Sequence, residues 1–291
     1  MAGRHGVHTV TAWRVPQPGG PAQAQTTRVI EEDALTIDIE EVGTFTLMWT
    51  PTEGADEPLG FTDEDGVLAD SDDPEALALA VGFCFTEGLI AGLGDIRTMA
   101  VCGDTPGVVR VQLHHPETVV ARRKNIIMTS SCGICGSRDV LDNNLLGLQA
   151  VPDAMRLGDQ GFAHLMALMR ERQAVFLETG GAHAAAVFGT KGALHALAED
   201  LGRHNALDKV IGKTLLTGAG FANRGVLLSS RLSLEMVVKA VRAGFEIIAA
   251  VSAPTSLAIE IAERFGVTLC GFVRDQRATI YTHPHRIAPV G

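Results

Sequence analysis

Two cysteines separated by two residues are the most reactive feature of the sequence. Cys132 and Cys135 lie in the stretch SSCGICG, where a glycine follows each thiol. Two thiols at this spacing can share a metal, form a reversible disulfide or pass a sulfane sulfur, and the glycines favour an exposed, mobile loop. Sulfur transfer is the favoured interpretation, and a zinc site, a thioredoxin-like reductant or an incidental pair remain as alternatives. The other three cysteines are isolated within apolar stretches: Cys84, Cys102 and Cys270.

A second motif, TGGAHAA, combines paired glycines with a histidine. The amides of Gly180 and Gly181 could approach an anion closely, and His183 could donate a hydrogen bond or move a proton. The alternative is a tight turn whose histidine is satisfied in the core. The motif alone therefore indicates, without establishing, an anion site.

A third motif, EDLGRHNALDK, places charges of both signs at the start of a predicted helix. The apolar positions Ala206 and Val210 give that helix its buried face, and helix N-termini favour anions. We predict that Arg203, His204 and Lys209 add to this preference. A solvated, salt-bridged helix start is the alternative.

Polar groups also follow predicted strands. Ser229-Ser230-Arg231 ends one strand, the stretch 252–255 ends another, and Arg274 and Arg277 follow a third. Ligands of open α/β sheets bind beyond the carboxyl ends of parallel strands, where these groups would meet. Guanidinium groups suit phosphate or a flat heterocycle, although surface arginines and helix caps at 252 or 255 would look the same.

Hydrophobic periodicity predicts a small α+β unit in the first part of the chain. Alternation over 35–39 and 45–49 around Gly43 predicts a β-hairpin,. Residues 51–73 hold nine carboxylates and are predicted to form a solvated loop. A helix that Asp73 and Pro74 open and that ends near residue 92 follows, with strands around 96–102 and 107–113.

The second part alternates strands with helices. A helix from residue 161 precedes strands at 183–188, 193–198, 225–229, 246–251, 268–273 and 278–282, and helices at 204–216, 233–243 and 255–265,. Such spacing implies crossover connections, so the fold class is α/β, or α+β overall, with a partly parallel sheet covered on both faces. The predicted organisation is a flexible tail (1–27), a small α+β N-terminal domain (28–125), a mobile CxxC loop (126–140) and a larger C-terminal domain (141–291).

Composition limits the function classes. A formal charge of -10 argues against general nucleic-acid binding, because phosphate-backbone affinity requires a concentrated basic surface,. No apolar run approaches the roughly 20 residues of a membrane helix, and the first residues do not resemble a secretory signal. Five cysteines is an odd number and fits a reduced compartment,. We therefore expect a cytoplasmic protein without membrane or nucleic-acid partners.

Five motifs together resemble one family. SSCGICG, TGGAHAA, EDLGRHNALDKVIG, SAPTSLAIEIAERFGVTLCGFVR and YTHPHRI resemble the FdhD family of formate dehydrogenase accessory sulfurtransferases and occur in that family's order. The resemblance covers about 28–287. It implies a cytidine-deaminase-like three-layer C-terminal domain with a mixed sheet, which agrees with the alternation described above.

The resemblance also implies an activity. Such a protein would be a cytoplasmic homodimer that receives sulfur from a cysteine desulfurase and passes it to a bound substrate, the molybdenum bis(molybdopterin guanine dinucleotide) cofactor of formate dehydrogenase. By resemblance, Cys132 would carry the persulfide and Cys135 would assist. The cofactor would contact the stretch Phe272, Val273, Arg274, Asp275, Gln276 and Arg277. From residue type and motif position, we add as cofactor-binding candidates Gly180, Gly181, His183, Arg203, His204, Lys209 and Arg231, and we expect no permanent metal.

Two rival functions are weighed against this interpretation. A zinc-dependent nucleobase deaminase requires an H-x-E or C-x-E pair and a later Pro-Cys-x-x-Cys, but no H-x-E occurs and Ser131 stands where the proline is needed. A non-catalytic chaperone of the molybdenum cofactor would not need Cys132. One departure from the family concerns the ligand site: Ser230 replaces the usual glycine of Ser-Gly-Arg, so a side chain occupies a place where backbone could approach the ligand.

Overall fold

The computed structural model describes residues 6–16, 19–52, 60–62, 75–102, 105, 107–123, 145, 147–158, 161–274 and 277–288. Its first part contains an antiparallel hairpin of β1 (Val7–Arg14) and β2 (Gln23–Ile30). A five-stranded sheet follows, made of β3 (Asp33–Ile39), β4 (Gly43–Trp49), β5 (Gly60–Thr62), β6 (Ile96–Val101) and β7 (Val108–Leu113). The strand order is β4-β3-β7-β6-β5.

The predicted hairpin at 35–49 is confirmed and follows its period-two pattern. Leu35, Ile37 and Ile39 are buried on one face of β3. On the other face, the hydroxyl of Thr36 lies 3.4 Å from that of Thr46 across the hairpin. Alternation of apolar and polar side chains therefore leaves one face of this sheet for the core.

Two described helices belong to this part, α1 (Glu75–Thr86) and α2 (Pro116–Arg123). Every residue of α1 is buried, which fits a helix that is apolar on all sides,. It ends earlier than the predicted position near residue 92. Gly88 adopts φ 71°, and the amides of Leu89 and Ile90 donate to the carbonyl of Cys84, which closes the helix,.

The larger part is an α/β unit. In chain order it contains β8 (Leu157–Gly158), α3 (Gly161–Arg172), α4 (Ala174–Thr179), β9 (His183–Gly189), β10 (Leu194–Asp200), α5 (Arg203–Leu216), β11 (Arg224–Leu228), α6 (Leu234–Arg242), β12 (Ile247–Ala250), α7 (Ser256–Arg264), β13 (Thr268–Arg274), β14 (Arg277–Ile280) and β15 (Ile287–Ala288). Its main sheet has the order β10-β9-β11-β12-β13-β14. β11, β12 and β13 are parallel and the other pairs antiparallel.

Both faces of this sheet are covered, so the unit has three layers. Along β9, Ala184 and Phe188 pack into a core with α3, whereas Ala185 and Val187 face the core shared with α1, α5, α6 and α7. Such two-sided burial is typical of sheets with crossover helices. The expected fold class, with a mixed sheet in a three-layer domain and a smaller α+β part, is confirmed.

One core joins the two parts of the chain. The apolar residues of α1 and of the five-stranded sheet belong to the same buried cluster as those of α5, α6 and α7. α1 crosses α5 at unusually close range: a Cβ atom at Gly82 would overlap the carbonyl oxygen of Asp208, and one at Gly212 would overlap that of Ala78. Glycine at both positions lets the two backbones touch.

The expected flexible tail at 1–27 is wrong for the residues that form β1 and β2. The alternating run VHTVTAWR pairs with QAQTTRVI over eight residues each. Two hydrogen bonds between Glu31 and Gly6 close the base of this hairpin. The hairpin is tied to α4 by Arg28, whose Nη1 lies 2.8 Å from Glu178 Oε2. Tertiary contacts therefore order a stretch whose composition suggested disorder.

Other differences are local. Helices α2 and α4 were not predicted, and β5 lies inside the stretch 51–73 that was expected to be a loop throughout. Among the described helices, none is long and apolar enough to cross a bilayer.

Candidate functional site

Several of the predicted site residues lie at one edge of the main sheet. The carboxyl ends of the parallel strands β11, β12 and β13 meet there, and because β9 runs antiparallel to β11, its first residues lie at the same edge,. We refer to this region as the carboxyl edge. It comprises residues 183–184, 200–204, 229–231, 251–254 and 272–274.

Hydrogen bonds fasten the segments of the carboxyl edge to one another. The amide of Ser229 donates to the carbonyl of Ala184, and the amide of Ala184 donates to Ser229 Oγ. The amide of Phe272 donates to the carbonyl of Ser252 at 3.1 Å. Residues that are 45 and 20 positions apart in sequence are thereby held in fixed relation,.

His183 is half-buried at the start of β9, opposite Asp200 in the strand register. Burial lowers the pKa of its imidazole, and the nearby Arg203 and His204 lower it further, whereas Asp200 opposes them. The imidazole is therefore neutral at pH 7, so it can accept one hydrogen bond and donate another.

Arg203 and His204 form the first turn of α5, a helix of 14 residues that begins after Gly202 without a side-chain cap. Arg203 Nε is buried and finds no hydrogen-bond acceptor among the described residues. His204 Nε2 lies 2.9 Å from Glu235 Oε2, and this contact holds the pKa of Glu235 below its ordinary value. An uncapped helix N-terminus beside a guanidinium is suited to an anion.

β13 carries a bulge between Gly271 and Arg274, at the start of the predicted stretch 272–277. Phe272 adopts φ 51°, which is uncommon for a bulky residue, and its side chain is 46% exposed,. Val273 is buried, and Arg274 Nη1 donates to the carbonyl of Val251 at 2.7 Å, so the guanidinium lies over the end of β12. The bulge therefore carries an exposed aromatic ring two residues before Arg274, and Arg277 is paired opposite Arg274,. Two members of the predicted stretch, Asp275 and Gln276, lie outside the described residues.

The strand end at 229–231 contributes polar groups of two kinds. Ser230 is buried and its hydroxyl donates to the carbonyl of Arg231, so the serine that replaces glycine turns inward. Arg231 is exposed at the carboxyl edge. Thr255, predicted as a ligand group or a cap, caps α7: its Oγ1 accepts from the amide of Ala258 at 3.3 Å.

The amides of Gly180 and Gly181 are not free to bind an anion, as the sequence motif suggested they could be. Gly180 ends α4 in the left-handed conformation, φ 68°, and its amide donates to the carbonyl of Phe176. The amide of Gly181 donates to Thr179 Oγ1 at 3.1 Å. Both amides are already used in closing the helix, which matches the tight-turn alternative.

Lys209 was expected beside an anion but lies in the interior. Its side chain is fully buried, and Nζ donates to the carbonyls of Thr50 at 2.7 Å and Glu199 at 3.0 Å. The same ammonium is 2.9 Å from Asp200 Oδ2 and 3.1 Å from Glu75 Oε2. Lys209 therefore sits beneath the carboxyl edge as a link between the two parts of the chain.

The described cysteines differ from the CxxC pair in setting. Cys84 and Cys270 are buried, and burial raises the pKa of each thiol to about 12. Cys102 is half-buried. Cys132 and Cys135 lie outside the described residues, so their predicted role stays a prediction.

A cavity of about 350 Å³ lies apart from the carboxyl edge. It is lined by residues of β1, α1, the end of α3, α4, β10 and α5, and its buried carboxylates are those of Glu75 and Glu199. Glu199 accepts both its hydrogen bonds from the amides of Val175 and Phe176, and Glu75 pairs with Lys213. Within the described part of the chain, no group of three His, Cys, Asp or Glu side chains is arranged to hold a metal ion.

Sequence reasoning missed three contributors to the carboxyl edge. Asp200 stands within a recognised motif, yet sequence spacing could not predict its contacts with four residues: Thr50, Gly202, Asn205 and Lys209. Glu235 follows the strand end by several residues and carried no motif signal. Thr50 lies 150 residues before Asp200, with which it hydrogen bonds. Contacts of such sequence separation are visible only in the folded chain.

Comparisons with known proteins give a consistent result. The sequence profile of the FdhD/NarQ family matches residues 72–288. A protein of Thermoplasma acidophilum named sulfur carrier protein FdhD is 43% identical over 216 residues, which cover 72% of this chain and 75% of that protein. A protein of the same name from Streptomyces avermitilis is 35% identical over 272 residues, 92% of each chain. A crystal structure of a protein assigned as a formate dehydrogenase accessory protein from Desulfotalea psychrophila superposes with a TM-score of 0.71 at 23% identity, over 97% of this chain and 99% of that one.

Proposed function

The chain belongs to the FdhD/NarQ family, and we propose that it carries sulfur as a persulfide on Cys132 and delivers it to the molybdenum cofactor of a formate dehydrogenase. Relatives named for sulfur carriage support the first half of this proposal. The arrangement of the carboxyl edge supports the second half. The proposed sulfur donor is a cysteine desulfurase, and the proposed acting form is a cytoplasmic homodimer.

The proposed chemistry begins at the Cys132 thiolate. It attacks the terminal sulfur of the donor's persulfide, the donor's S–S bond breaks, and the donor cysteine leaves as a thiolate with the bonding electron pair. Cys132 then bears the persulfide. In the second step the terminal sulfur moves to molybdenum, which supplies two electrons to make it a bound sulfide, and Cys132 returns to the thiolate. Cys135 is the proposed helper.

The other thiols are less suited to this role. The thiolate is the nucleophile, and thiols with a pKa of about 12 are almost wholly protonated at pH 7,. Cys84 and Cys270 are also buried, so a donor protein cannot reach them. Cys102 is the described cysteine with partial access, and it makes a suitable control for Cys132.

The observation that carries the cofactor half of the proposal is the convergence of separate motifs at the carboxyl edge. Phe272 offers an exposed ring for stacking on a pterin or guanine,. Arg274, Arg231 and the buried Nε of Arg203 offer charge for phosphates on a protein whose net charge is -10,. Neutral His183 lies among them and can hold a proton-sensitive hydrogen bond.

Intact-mass spectrometry tests the sulfur half. The reduced protein is incubated with a cysteine desulfurase and cysteine, and the unaltered chain is compared with Cys132→Ala and with Cys102→Ala. We expect a gain of one sulfur atom in the unaltered chain and in Cys102→Ala, and none in Cys132→Ala. A gain that persists in Cys132→Ala would refute the role of that cysteine. No gain in any variant, with nucleotide binding intact, would favour a cofactor chaperone.

Isothermal titration with GDP, which carries the guanine and phosphates of the cofactor, tests the second half. We expect the unaltered protein to bind GDP and Arg203→Ala to bind it more weakly. Lys191→Ala, which alters an exposed lysine in the turn between β9 and β10, is the matched control for lost charge. Equal GDP affinity of Arg203→Ala and the unaltered chain would count against the carboxyl edge as the cofactor site.

A further inference from the structure

A buried threonine from the first part of the chain holds the loop that carries Arg203 and His204. Thr50 follows the last residue of β4 and has no exposed surface. It is remote in sequence from every residue of the carboxyl edge.

Every polar atom of Thr50 has a partner, and three of the four contacts lead to residues 200–209. Its amide donates to Asp200 Oδ2 at 3.0 Å, and its carbonyl accepts from Lys209 Nζ at 2.7 Å. Its Oγ1 accepts from the amide of Leu201 at 3.1 Å while donating to the carbonyl of Glu31 at 2.9 Å. The hydroxyl thus acts as donor and acceptor at once.

The same loop has a second link to β4. Asn205 Nδ2 donates to the carbonyl of Met48 at 2.7 Å and to Asp200 Oδ1 at 3.0 Å. The amide of Gly202 also donates to Asp200 Oδ1, at 2.8 Å. Asp200 therefore shapes the turn into α5, and Thr50 holds both Asp200 and the amide of Leu201 after it.

The turn fixed in this way ends directly at the anion-binding groups of the proposed site. Gly202 is the cap residue of α5, and Arg203 and His204 are its first two residues. A shift of the loop by a fraction of an ångström would change where the guanidinium and the helix N-terminus point. Polar sites depend on supporting contacts that lock their geometry.

We propose that Thr50 is a positioning residue that sets the placement of Arg203 and the α5 N-terminus for the guanine nucleotide part of the cofactor. The inference rests on the proposed function, because it assumes that the carboxyl edge binds that nucleotide. Thr50 itself does not touch the carboxyl edge ligand groups. It acts through the amide of Leu201 and the carboxylate of Asp200.

Valine is the informative replacement for Thr50, because it has nearly the same shape and lacks the hydroxyl. Thr50→Val leaves the partly buried amide of Leu201 without its acceptor, whereas Thr50→Ser keeps the hydroxyl,. Thr268→Val is the matched control. Thr268 is equally buried at the opposite end of the sheet, and its Oγ1 likewise donates to a carbonyl, that of His283, and accepts from Arg286.

The experiment measures GDP affinity by titration calorimetry in solution conditions where each variant is fully folded, as shown by its unfolding curve. We expect Thr50→Val to bind GDP about tenfold more weakly, because the loop that carries Arg203 loses the hydrogen bond from the Leu201 amide to Thr50,. Thr50→Ser should bind within about twofold of the unaltered chain. Thr268→Val should lose stability with no change in affinity. If Thr50→Val does not fold, Asn205→Ala breaks the second link to β4 and should weaken GDP in the same way.

The outcomes separate the two proposals. No GDP binding by the unaltered protein overturns the cofactor site and this inference together. GDP binding by the unaltered protein with equal affinity in Thr50→Val, or in Asn205→Ala where that variant replaces it, overturns the positioning role alone. Equal weakening in Thr268→Val and Thr50→Val overturns it as well, because a general loss of stability would then explain both.

Discussion

Replacing Lys209 by methionine removes an ammonium that lies between two buried carboxylates. Its Nζ is 3.1 Å from Glu75 Oε2 and 2.9 Å from Asp200 Oδ2, and both acids are at most 2% exposed. Methionine keeps most of the side-chain volume, so the change removes charge and hydrogen bonds and adds little cavity. The variant therefore isolates the contribution of the buried ion network.

The expected loss of unfolding free energy is about 3 kcal/mol. Breaking a buried ion pair by removing one partner costs about 3–5 kcal/mol, because the remaining charge stays in the interior. The lower part of that range applies here, since Glu75 keeps Lys213, and Asp200 keeps donors from Thr50 and Gly202. Against a total of about 5–15 kcal/mol for a typical domain, this loss is large.

Urea unfolding followed by tryptophan fluorescence measures this loss. Trp49 is 3% exposed and lies under Lys209, with Nζ 5.0 Å from the ring centroid, so its emission reports the region that is altered. Lys191→Met, at an exposed turn, is the control and should change stability by less than about 0.5 kcal/mol,. A loss of less than about 1 kcal/mol for Lys209→Met would refute the assignment of Lys209 as a buried structural cation.

The pH dependence of this loss has a definite sign. Burial raises the pKa of Glu75, but Lys209 and Lys213 outweigh it, so the pKa lies below its ordinary value of 4.5. Such a carboxyl contributes stability that is present above the unfolded pKa and is lost as the pH falls through the folded pKa. The stability gap between the unaltered chain and Lys209→Met should therefore narrow as the pH falls from about 5 to about 3.

Three other residues give separate tests. Gly82→Ala should lower the free energy of unfolding in urea by about 1–3 kcal/mol, because the added Cβ would overlap the Asp208 carbonyl,. This overlap outweighs the gain of about 1 kcal/mol in helix propensity. The control Gly92→Ala, which has open space around its Cβ, should be nearly neutral. Because the pKa of His183 is lowered in the folded state, this residue contributes stability that is present above pH 6.5 and is lost as the pH falls below that value,. His183→Gln should therefore reduce the fall in melting temperature between about pH 6.5 and pH 5. The same fall in the variant and the unaltered chain would contradict this. Arg274→Ala should weaken GDP binding about tenfold, and unaltered affinity would remove that residue from the proposed site.

The arrangement of the main sheet could be predicted from sequence because each element carries its own signal. β9 to β13 and the helices α5, α6 and α7 begin and end within about two residues of their predicted positions,. The rule that ligand groups gather beyond the carboxyl ends of parallel strands then placed Arg231 and Arg274 at one edge. Local periodicity and a topological rule were sufficient for that part.

Lys209 shows why the rest could not be predicted. The apolar positions Ala206 and Val210 define one buried face of α5, and Lys209, which lies off that face, is predicted to help bind an anion at the start of the helix. In the fold, α1 packs against α5 through the contact of Gly82 with Asp208, and Lys209 is fully buried beside Glu75 of α1. Which helix covers a given face of α5 depends on tertiary packing. Because α1 precedes α5 by more than 100 residues, the local sequence of α5 does not indicate this contact.

The same long-range contacts explain why the carboxyl edge is not a property of the larger domain alone. Its arginines, histidines and exposed phenylalanine come from the second part of the chain, but the loop that presents Arg203 is held by Thr50 and by the Met48 carbonyl of β4. Lys209 adds a buried charge link to Glu75 at the start of α1. Folding of the first part therefore sets the geometry of a site whose ligand groups lie entirely in the second, which is a physical reason for the two parts to share one core.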